Sequence, residues 1–393
     1  MARSIYLDYH ASTPVDPRVV RVMLRYLTEG FGNASSADHS FGDEAAEAVG
    51  TAERQVAALV GARSSTVLFT SGATESINMA LRGFVKRRQE TLSSRTRIAV
   101  SPTEHSVVLD TCRALVAEGV ANVEFLRVDR VGQVDLACLE QACRRGLDLI
   151  CVMAANNEIG TLSPIRLVAQ IAARSGVAYL CDATQAAGRI ALDADGMGIT
   201  LLALSGHKLH GPQGVGALIV ASPRILSPLL YGGGQQKSLR PGTLNVPGIA
   251  ALGEACRLRL EEMREDELAT RQRRDRLQTL LQEALPDLIV NGDSTARLAG
   301  NLHISWPRCP NGAIVARVRD HLAVATGAAC SSGLEAPSHV LRAIGLPPRA
   351  MDGALRIGLG KWTTDDEVES AAGLLIEAIW AATNASEQVT HRV

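Results

Sequence analysis

The segment Val177-Ala-Tyr-Leu-Cys181, followed at once by Asp182-Ala-Thr-Gln185, decides the fold: five uncharged residues lead straight into a carboxylate. A continuous apolar run of this length suits a strand covered on both faces, the kind found in a parallel sheet flanked by helices. Six runs of similar texture lie around it: Thr66–Thr70, Arg97–Ser101, Val123–Arg127, Leu149–Ala154, Leu201–Leu204 and Val215–Val220. Helical patterns alternate with these runs, which implies crossover connections. One helix is marked at both ends, by Ser163 as N-cap with Pro164 at the first helical position and by Gly176 just past its end. Between them Ile165, Val168, Ile171 and Ala172 recur at helical spacing. The expected core is an α/β sheet with helices on both faces.

Beyond about residue 245 the texture changes. Ala250–Leu285 reads as one long connecting helix with a charge-dense middle, and its heptads are too broken for a coiled coil. Two short strand-like segments follow, Leu288–Val290 and Asn301–Ser305, then helical patterns at Ile314–His321 and Asp365–Ala382. These predict a second, smaller α/β domain. The division expected is a large domain over 16–260 and a small domain from 1–15 and 261–393, with a loop of small residues at about 325–335.

Composition removes several classes of function. The 393 residues carry 40 Lys+Arg against 41 Asp+Glu, so no global positive field exists to hold nucleic acid or an anionic membrane. The apolar runs stop well short of the roughly 18 residues a membrane span needs. The first residues, MARSIYLDYHASTPVD, lack the apolar core of a signal peptide. Eight cysteines without a C-x-x-C pair suggest neither a disulfide framework nor a zinc module, and no metal site is expected. A soluble, cytoplasmic protein with reduced thiols is the expectation.

The informative polar residues fall at the ends of the apolar runs. TVLFT leads into Ser71-Gly-Ala-Thr-Glu75, RIAVS into Pro102-Thr-Glu-His105, VMAA into Asn156-Asn-Glu158, YLC into Asp182-Ala-Thr-Gln185, and LLAL into Ser205-Gly-His-Lys208. In an open parallel sheet, the carboxyl ends of the strands share one edge, and ligands bind in the crevice there. Any single cluster is an ordinary strand-to-helix turn. Five of them, supplying anion donors, a carboxylate, an imidazole and an amine, point to one shared site.

Ser71, Gly72, Ala73 and Thr74 stand before a helical pattern, where free backbone amides and two hydroxyls make a phosphate cradle. Lys208 follows a strand too apolar for a surface amine, so it is either paired with an acid or used to form Schiff bases. Asp182 favours the second reading: a carboxylate at the end of a buried strand is costly unless a cation meets it. A pyridinium nitrogen is such a cation, and the acid that keeps it protonated makes the ring an electron sink. His105 either covers such a ring and moves protons or simply leads its helix.

The combination of Asp182-Ala-Thr-Gln185, Ser205-Gly-His-Lys208 and Gly211-Pro-Gln-Gly214 resembles the class V aminotransferase-like pyridoxal 5′-phosphate enzymes of fold type I, and more narrowly the cysteine desulfurases of the NifS and IscS type. The resemblance continues through Tyr6-Leu-Asp-Tyr9, Phe31-Gly-Asn33, Phe69-Thr-Ser-Gly-Ala-Thr-Glu75, Thr103-Glu-His105, Asn156-Asn-Glu-Ile-Gly160, Gly232-Gly-Gly234, Arg240-Pro-Gly-Thr243 and Ala329-Cys330-Ser331. It implies that Lys208 holds the cofactor covalently, His105 stacks on its ring, Asp182 pairs with the ring nitrogen and Gln185 bonds its phenolic oxygen. Ala73, Thr74, Ser205 and His207 would hold the phosphate, with Thr243 reaching in from the second subunit of a homodimer. Asn157, which is also counted among the cofactor contacts, and Arg356 would hold the carboxylate of L-cysteine. Cys330 would attack the substrate sulfur and carry a persulfide to an acceptor protein.

The stretch Ala325-Thr-Gly-Ala-Ala-Cys-Ser-Ser-Gly333 surrounds that thiol with small residues only, so an exposed, mobile loop of the IscS-like kind is expected. Cys112, Cys138, Cys143, Cys151, Cys181, Cys256 and Cys309 read instead as small core hydrophobes. The sequence departs from the family at His10, Ser12 and Ala34, which are expected near the pocket entrance, and its tail lacks the aromatic motif of many IscS-type chains. Arg240-Pro-Gly-Thr243 and Ala325-Thr-Gly327 also resemble the desulfurases of DNA phosphorothioation, which leaves the acceptor open. The rival readings are another class V enzyme, such as an aminotransferase or selenocysteine lyase, a non-enzymatic sulfur-pathway adaptor, and a zinc-binding Cys/His protein.

Overall fold

The seven apolar runs form one sheet. The computed structural model describes residues 4–63, 66–92, 94–327 and 338–390. In chain order the strands are β1 (Ile5–Tyr6), β2 (Val67–Thr70), β3 (Thr96–Val100), β4 (Ala121–Phe125), β5 (Leu149–Cys151), β6 (Ala178–Asp182), β7 (Leu201–Ser205), β8 (Gly216–Val220), β9 (Ile289–Val290), β10 (Asn301–Ser305), β11 (Leu322–Ala323) and β12 (Ala354–Gly358). The large sheet has the order β2-β8-β7-β6-β5-β3-β4. Period-2 alternation shows why its strands are apolar throughout. Leu201 and Ala203 enter one core, shared with Leu68, Ile98, Leu149 and Leu180, while Leu202 and Leu204 enter the other, shared with Phe69, Ile150, Tyr179 and Ile219.

Pairing is parallel everywhere in this sheet except around β8, which runs antiparallel to both β7 and β2. The link from Ser205 to Gly216 is too short for a helical crossover, so the chain doubles back at once. Lys208 lies in that link, at the end of a short 3₁₀ turn, Gly206–Lys208. Gly216 has to be glycine, because a Cβ there would stand 2.6 Å from Leu204 O and 2.7 Å from Gly72 Cα. This close approach lets β8 pass directly against the turn that opens the helix Ala73–Thr91.

The marked helix spans Ile165–Ser175 with Gly176 in the left-handed region at φ 65°. Ser163 is not its N-cap, contrary to the sequence expectation: the cap position falls on Pro164, and the Ser163 amide donates to Ala154 O in an extended connection. The long helix begins earlier than the charge pattern suggests and covers Val246–Ala284, with the Asn245 side chain accepting from Gly248 N. A second set of elements packs around its C-terminal part. Leu277 and Leu281 meet Leu302 and Ile304 of β10, Leu355 and Ile357 of β12, and Leu375 and Ile379 of the helix Asp365–Thr390. Leu7, which follows β1, joins this core, and β1 pairs with β11. The first residues of the chain are thereby sewn into the same core as the last third.

Two buried histidines in this framework give a testable pH response. Burial, with Arg356 and Arg297 nearby, pushes His303 down to about 3, and burial with Arg259 and Lys361 nearby pushes His210 down to about 3. In the unfolded chain both regain the ordinary value of 6.5, so below pH 6.5 the unfolded state binds the extra protons. Each group therefore removes stability as pH falls from 6.5 toward 3, and none above that window. The substitution His303→Asn should flatten the fall of the urea midpoint between pH 6.5 and 4.5, relative to the parent, by about one proton. Parallel pH dependences in the two proteins would contradict the assignment.

Candidate active site

The five polar clusters meet in one cavity of about 350 Å³ at the carboxyl ends of β3, β5, β6 and β7. It is lined by Ser71–Thr74, His105, Asn157, Asp182, Gln185, Ser205, His207, Lys208 and Arg356, as well as by His10, Ala11 and Thr184. Residues separated by almost the whole chain are brought together because parallel strands all end on one edge.

Asp182, the last residue of β6, is buried, and its Oδ1 accepts from Thr184 N at 2.9 Å. Glu104 is buried nearby and accepts from Met153 N at 2.6 Å. Burial first, then the charge of Asp182, pushes Glu104 well above the usual carboxylate range. Glu104 is thus driven toward its neutral form. His105 caps the helix Ser106–Ala117, and its Nδ1 accepts from Val107 N at 3.2 Å, which leaves Nε2 as the protonated nitrogen. The imidazole thus caps its helix and borders the cavity at the same time.

The amine of Lys208 donates to the carbonyls of His10 and Ala11, the latter at 2.7 Å. The cradle is the turn ahead of the helix Ala73–Thr91, whose first-turn amides lack intrahelical acceptors by geometry. Glu75 would repel an anion there, but Arg240 pairs with it at 2.9 Å and Ser71 N donates to it at 2.6 Å. His207 lies beside Ser12, with Nδ1 and Oγ 3.3 Å apart, and burial lowers its imidazole to about 4. Neutral at physiological pH, it can serve as a hydrogen-bond partner without carrying a charge.

Arg356, the middle residue of β12, is 1% exposed. Its Nη2 donates to Asp8 Oδ1 at 2.8 Å and its Nη1 to Asn157 O at 3.1 Å, while Nε is buried with no partner among the described residues. His10 Nε2 and Thr184 Oγ1 are also buried and without partners among the described residues. Three such atoms around one cavity mark it as built for a polar ligand, because orphaned buried polar atoms are costly elsewhere.

Thr243 is exposed and does not line the cavity of its own chain. Cys330 lies outside the described residues. Six of the other cysteines are buried, and Cys138 is half-buried. Sequence reasoning missed Asp8, Ala11 and Arg189 as part of this region. His10 was visible only as a departure from the family, and its expected place at the entrance is corrected here: it is 2% exposed and sits deep in the cavity wall. Ala34 packs partly into the core and does not line the cavity.

A family model of class V aminotransferases matches residues 5–370. The cysteine desulfurase IscS of Anaeromyxobacter sp. (strain Fw109-5) is 42% identical over 378 residues, covering 95% of this chain and 92% of that protein. The chain belongs to the class V aminotransferase family, in its cysteine desulfurase branch. A solved NifS-like protein superposes with a TM-score of 0.87 at 31% identity, covering 95% of this chain and 99% of that one. The structure described as SspA in complex with cysteine gives 0.79 at 32% identity, covering 92% of this chain and all (100%) of that one. As a cysteine desulfurase the chain is an enzyme that depends on pyridoxal 5′-phosphate. The cavity fits that group. Its volume suits a cofactor, and it offers an anion cradle at a helix N-terminus, an amine, a buried carboxylate and polar atoms with no other partner among the described residues.

Proposed function

We propose that the desulfurase activity of this chain runs through Lys208, Asp182, His105 and Arg356 in the cavity, with Cys330 receiving the sulfur of L-cysteine and L-alanine leaving. The observation that carries the reading is the convergence of an amine, a buried acid and a buried guanidinium on one space of about 350 Å³. Ala73, Thr74, Ser205 and His207 would hold the phosphate of the cofactor, Gln185 its phenolic oxygen, and Asp182 its ring nitrogen. Pyridoxal phosphate supplies an aldehyde for the substrate amine and a ring that withdraws electrons from the substrate carbons.

The chain's own residues do the rest. Arg356 binds the substrate carboxylate with the donors that Asp8 and Asn157 leave over, and Asn157 supports it. Lys208 moves the proton at the substrate Cα, from a position where two backbone carbonyls receive its amine. Asp182 would pair with the ring nitrogen. His105 shuttles a proton at the substrate sulfur. The Cys330 thiolate attacks that sulfur, the Cβ–S bond breaks, its electron pair stays with Cβ, and Cβ takes a proton to become the methyl group of alanine.

Several features support a homodimer in which Thr243 reaches the partner's site. Thr243 is exposed at the end of Arg240-Pro-Gly-Thr243, and large apolar side chains stand open to solvent at Phe31, Phe41 and Tyr231. The division into 16–260 and 1–15 with 261–393 belongs to the same proposal, supported by a separate core around Leu281, Ile304 and Ile379. A cytoplasmic site of action is part of it too. Among the described residues no helix is long and apolar enough to cross a membrane, and seven thiols are free. The persulfide then passes to an acceptor protein, without direct nucleic-acid or membrane binding.

Incubation of the holoenzyme with L-cysteine and a reducing thiol should give alanine and sulfide in equal amounts. Arg356→Lys keeps the charge opposite Asp8 but loses the planar fork, so KM for cysteine should rise about tenfold with a smaller change in kcat. Sulfide without alanine would overturn the reaction, and an unchanged KM would overturn the role of Arg356.

A further inference from the structure

Arg189 is half-buried, and the hydrogen bonds it makes here go to neutral acceptors. Nη1 donates to Gln185 Oε1 at 2.7 Å and lies 3.1 Å from His10 Nδ1, and Nη2 donates to Tyr9 O at 3.1 Å. Guanidinium nitrogens only donate, so the Gln185 atom facing Arg189 has to be the carbonyl oxygen. The other end of the amide confirms this orientation independently. Gln185 Nε2 donates to His10 O at 2.9 Å, and a backbone carbonyl only accepts. His10 Nδ1 lies 3.1 Å from Arg189 Nη1 and 3.2 Å from Gln185 Oε1, so it accepts from the guanidinium in one tautomer and donates to the amide oxygen in the other, holding the same oxygen in place either way.

We propose that Arg189, with His10 as its second anchor, is a positioning residue that locks the side-chain amide of Gln185 so that its amino group is the donor left for the cofactor cavity. The assignment rests on the reading of Gln185 as the partner of the cofactor's phenolic oxygen. Without the guanidinium an amide can turn over, presenting a carbonyl to an oxygen that needs a donor. Burying a guanidinium is costly, and packing alone would be served better by an apolar side chain. Burial lowers Arg189 only to about 10, so the cation persists at neutral pH, with Glu267 opposing it and Arg259 beside it. His10 stays neutral, since burial and then Arg189, Arg356 and Lys208 all disfavour its charged form. His10 is in turn wedged in place: a Cβ on Gly358 would stand 2.8 Å from its Cδ2 and 3.0 Å from its backbone nitrogen. The same His10 carbonyl receives both Gln185 Nε2 and the amine of Lys208, so one peptide unit registers the two groups against each other.

The test is a double-mutant cycle read by cofactor retention and by the visible spectrum of the bound cofactor, not by turnover. Arg189→Met should weaken retention about fivefold and shift the spectrum, with Arg189→Lys recovering most of the loss. In a Gln185→Ala background the same Arg189→Met change should cost less than about twofold, because no amide remains to be oriented. Additive losses in the two backgrounds, or no rescue by lysine, would overturn the proposal. Should Arg189→Met fail to fold, His10→Ser paired with Gln185→Ala completes the same cycle, with non-additive losses supporting and additive losses overturning. A Gln185→Ala protein that retains and displays its cofactor like the parent would overturn the underlying reading of Gln185 instead, which separates the two failures.

Discussion

Lys208→Ala is expected to leave a folded protein that no longer links pyridoxal phosphate covalently and turns over cysteine at least about 10⁴-fold more slowly. The size follows from two losses at once. The amine both holds the cofactor and moves the proton at the substrate Cα, and proton transfer by a placed group is by itself worth roughly 10²–10⁴-fold. Folding should survive, because the carbonyls of His10 and Ala11 that receive the amine line a cavity wide enough for water to take its place. Borohydride reduction of the parent holoenzyme should fix the cofactor on the peptide containing Lys208, and on no peptide of the variant. Fixation at another lysine would end the assignment, and with it the role given to Asp182.

Much of the fold was legible because its signal is local. A strand buried on both faces has to be apolar at every position, so runs such as Leu201–Leu204 declare themselves, and Asp182 and Lys208 stand out as charges just after them. The direction of β8 was less legible, since reversal depends on the length of the link from Ser205 to Gly216 rather than on strand composition. Ser163 misled for a related reason. Its composition signals a cap, but pairing of its amide with Ala154 O took the residue into the preceding extended segment. The contribution of residues 8–12 was hidden almost entirely. Asp8 meets Arg356, His10 meets Gln185 and Arg189, and Ser12 meets His207, all across separations of more than 170 residues. Such contacts exist only because β1 pairs with β11 and Leu7 is buried in the core of the last third, which no periodicity near the N-terminus announces.

Cys330→Ala should abolish persulfide formation and alanine release while leaving cofactor binding at the parent level. The argument runs through the other thiols. None of Cys112, Cys138, Cys143, Cys151, Cys181, Cys256 and Cys309 lines the cavity. Burial raises Cys143, Cys151, Cys181, Cys256 and Cys309 above the ordinary thiol value, which suppresses the thiolate that nucleophilic attack requires. If the sulfur leaves cysteine on a protein thiol, Cys330 is the candidate that remains. The residues assigned to the cofactor and to the substrate carboxylate are all others, so the variant should still load pyridoxal phosphate and bind L-cysteine, visible as a change in the cofactor spectrum. Mass spectrometry of the parent after one turnover should show 32 Da added to the peptide containing Cys330, roughly the mass of one sulfur atom inserted as a persulfide. Alanine production by Cys330→Ala at the parent rate would mean that the sulfur departs without a protein nucleophile, as in a lyase on the same scaffold. A variant that binds cysteine, shows the spectral change and stops there would separate the two chemistries, since every group needed before sulfur transfer is still in place.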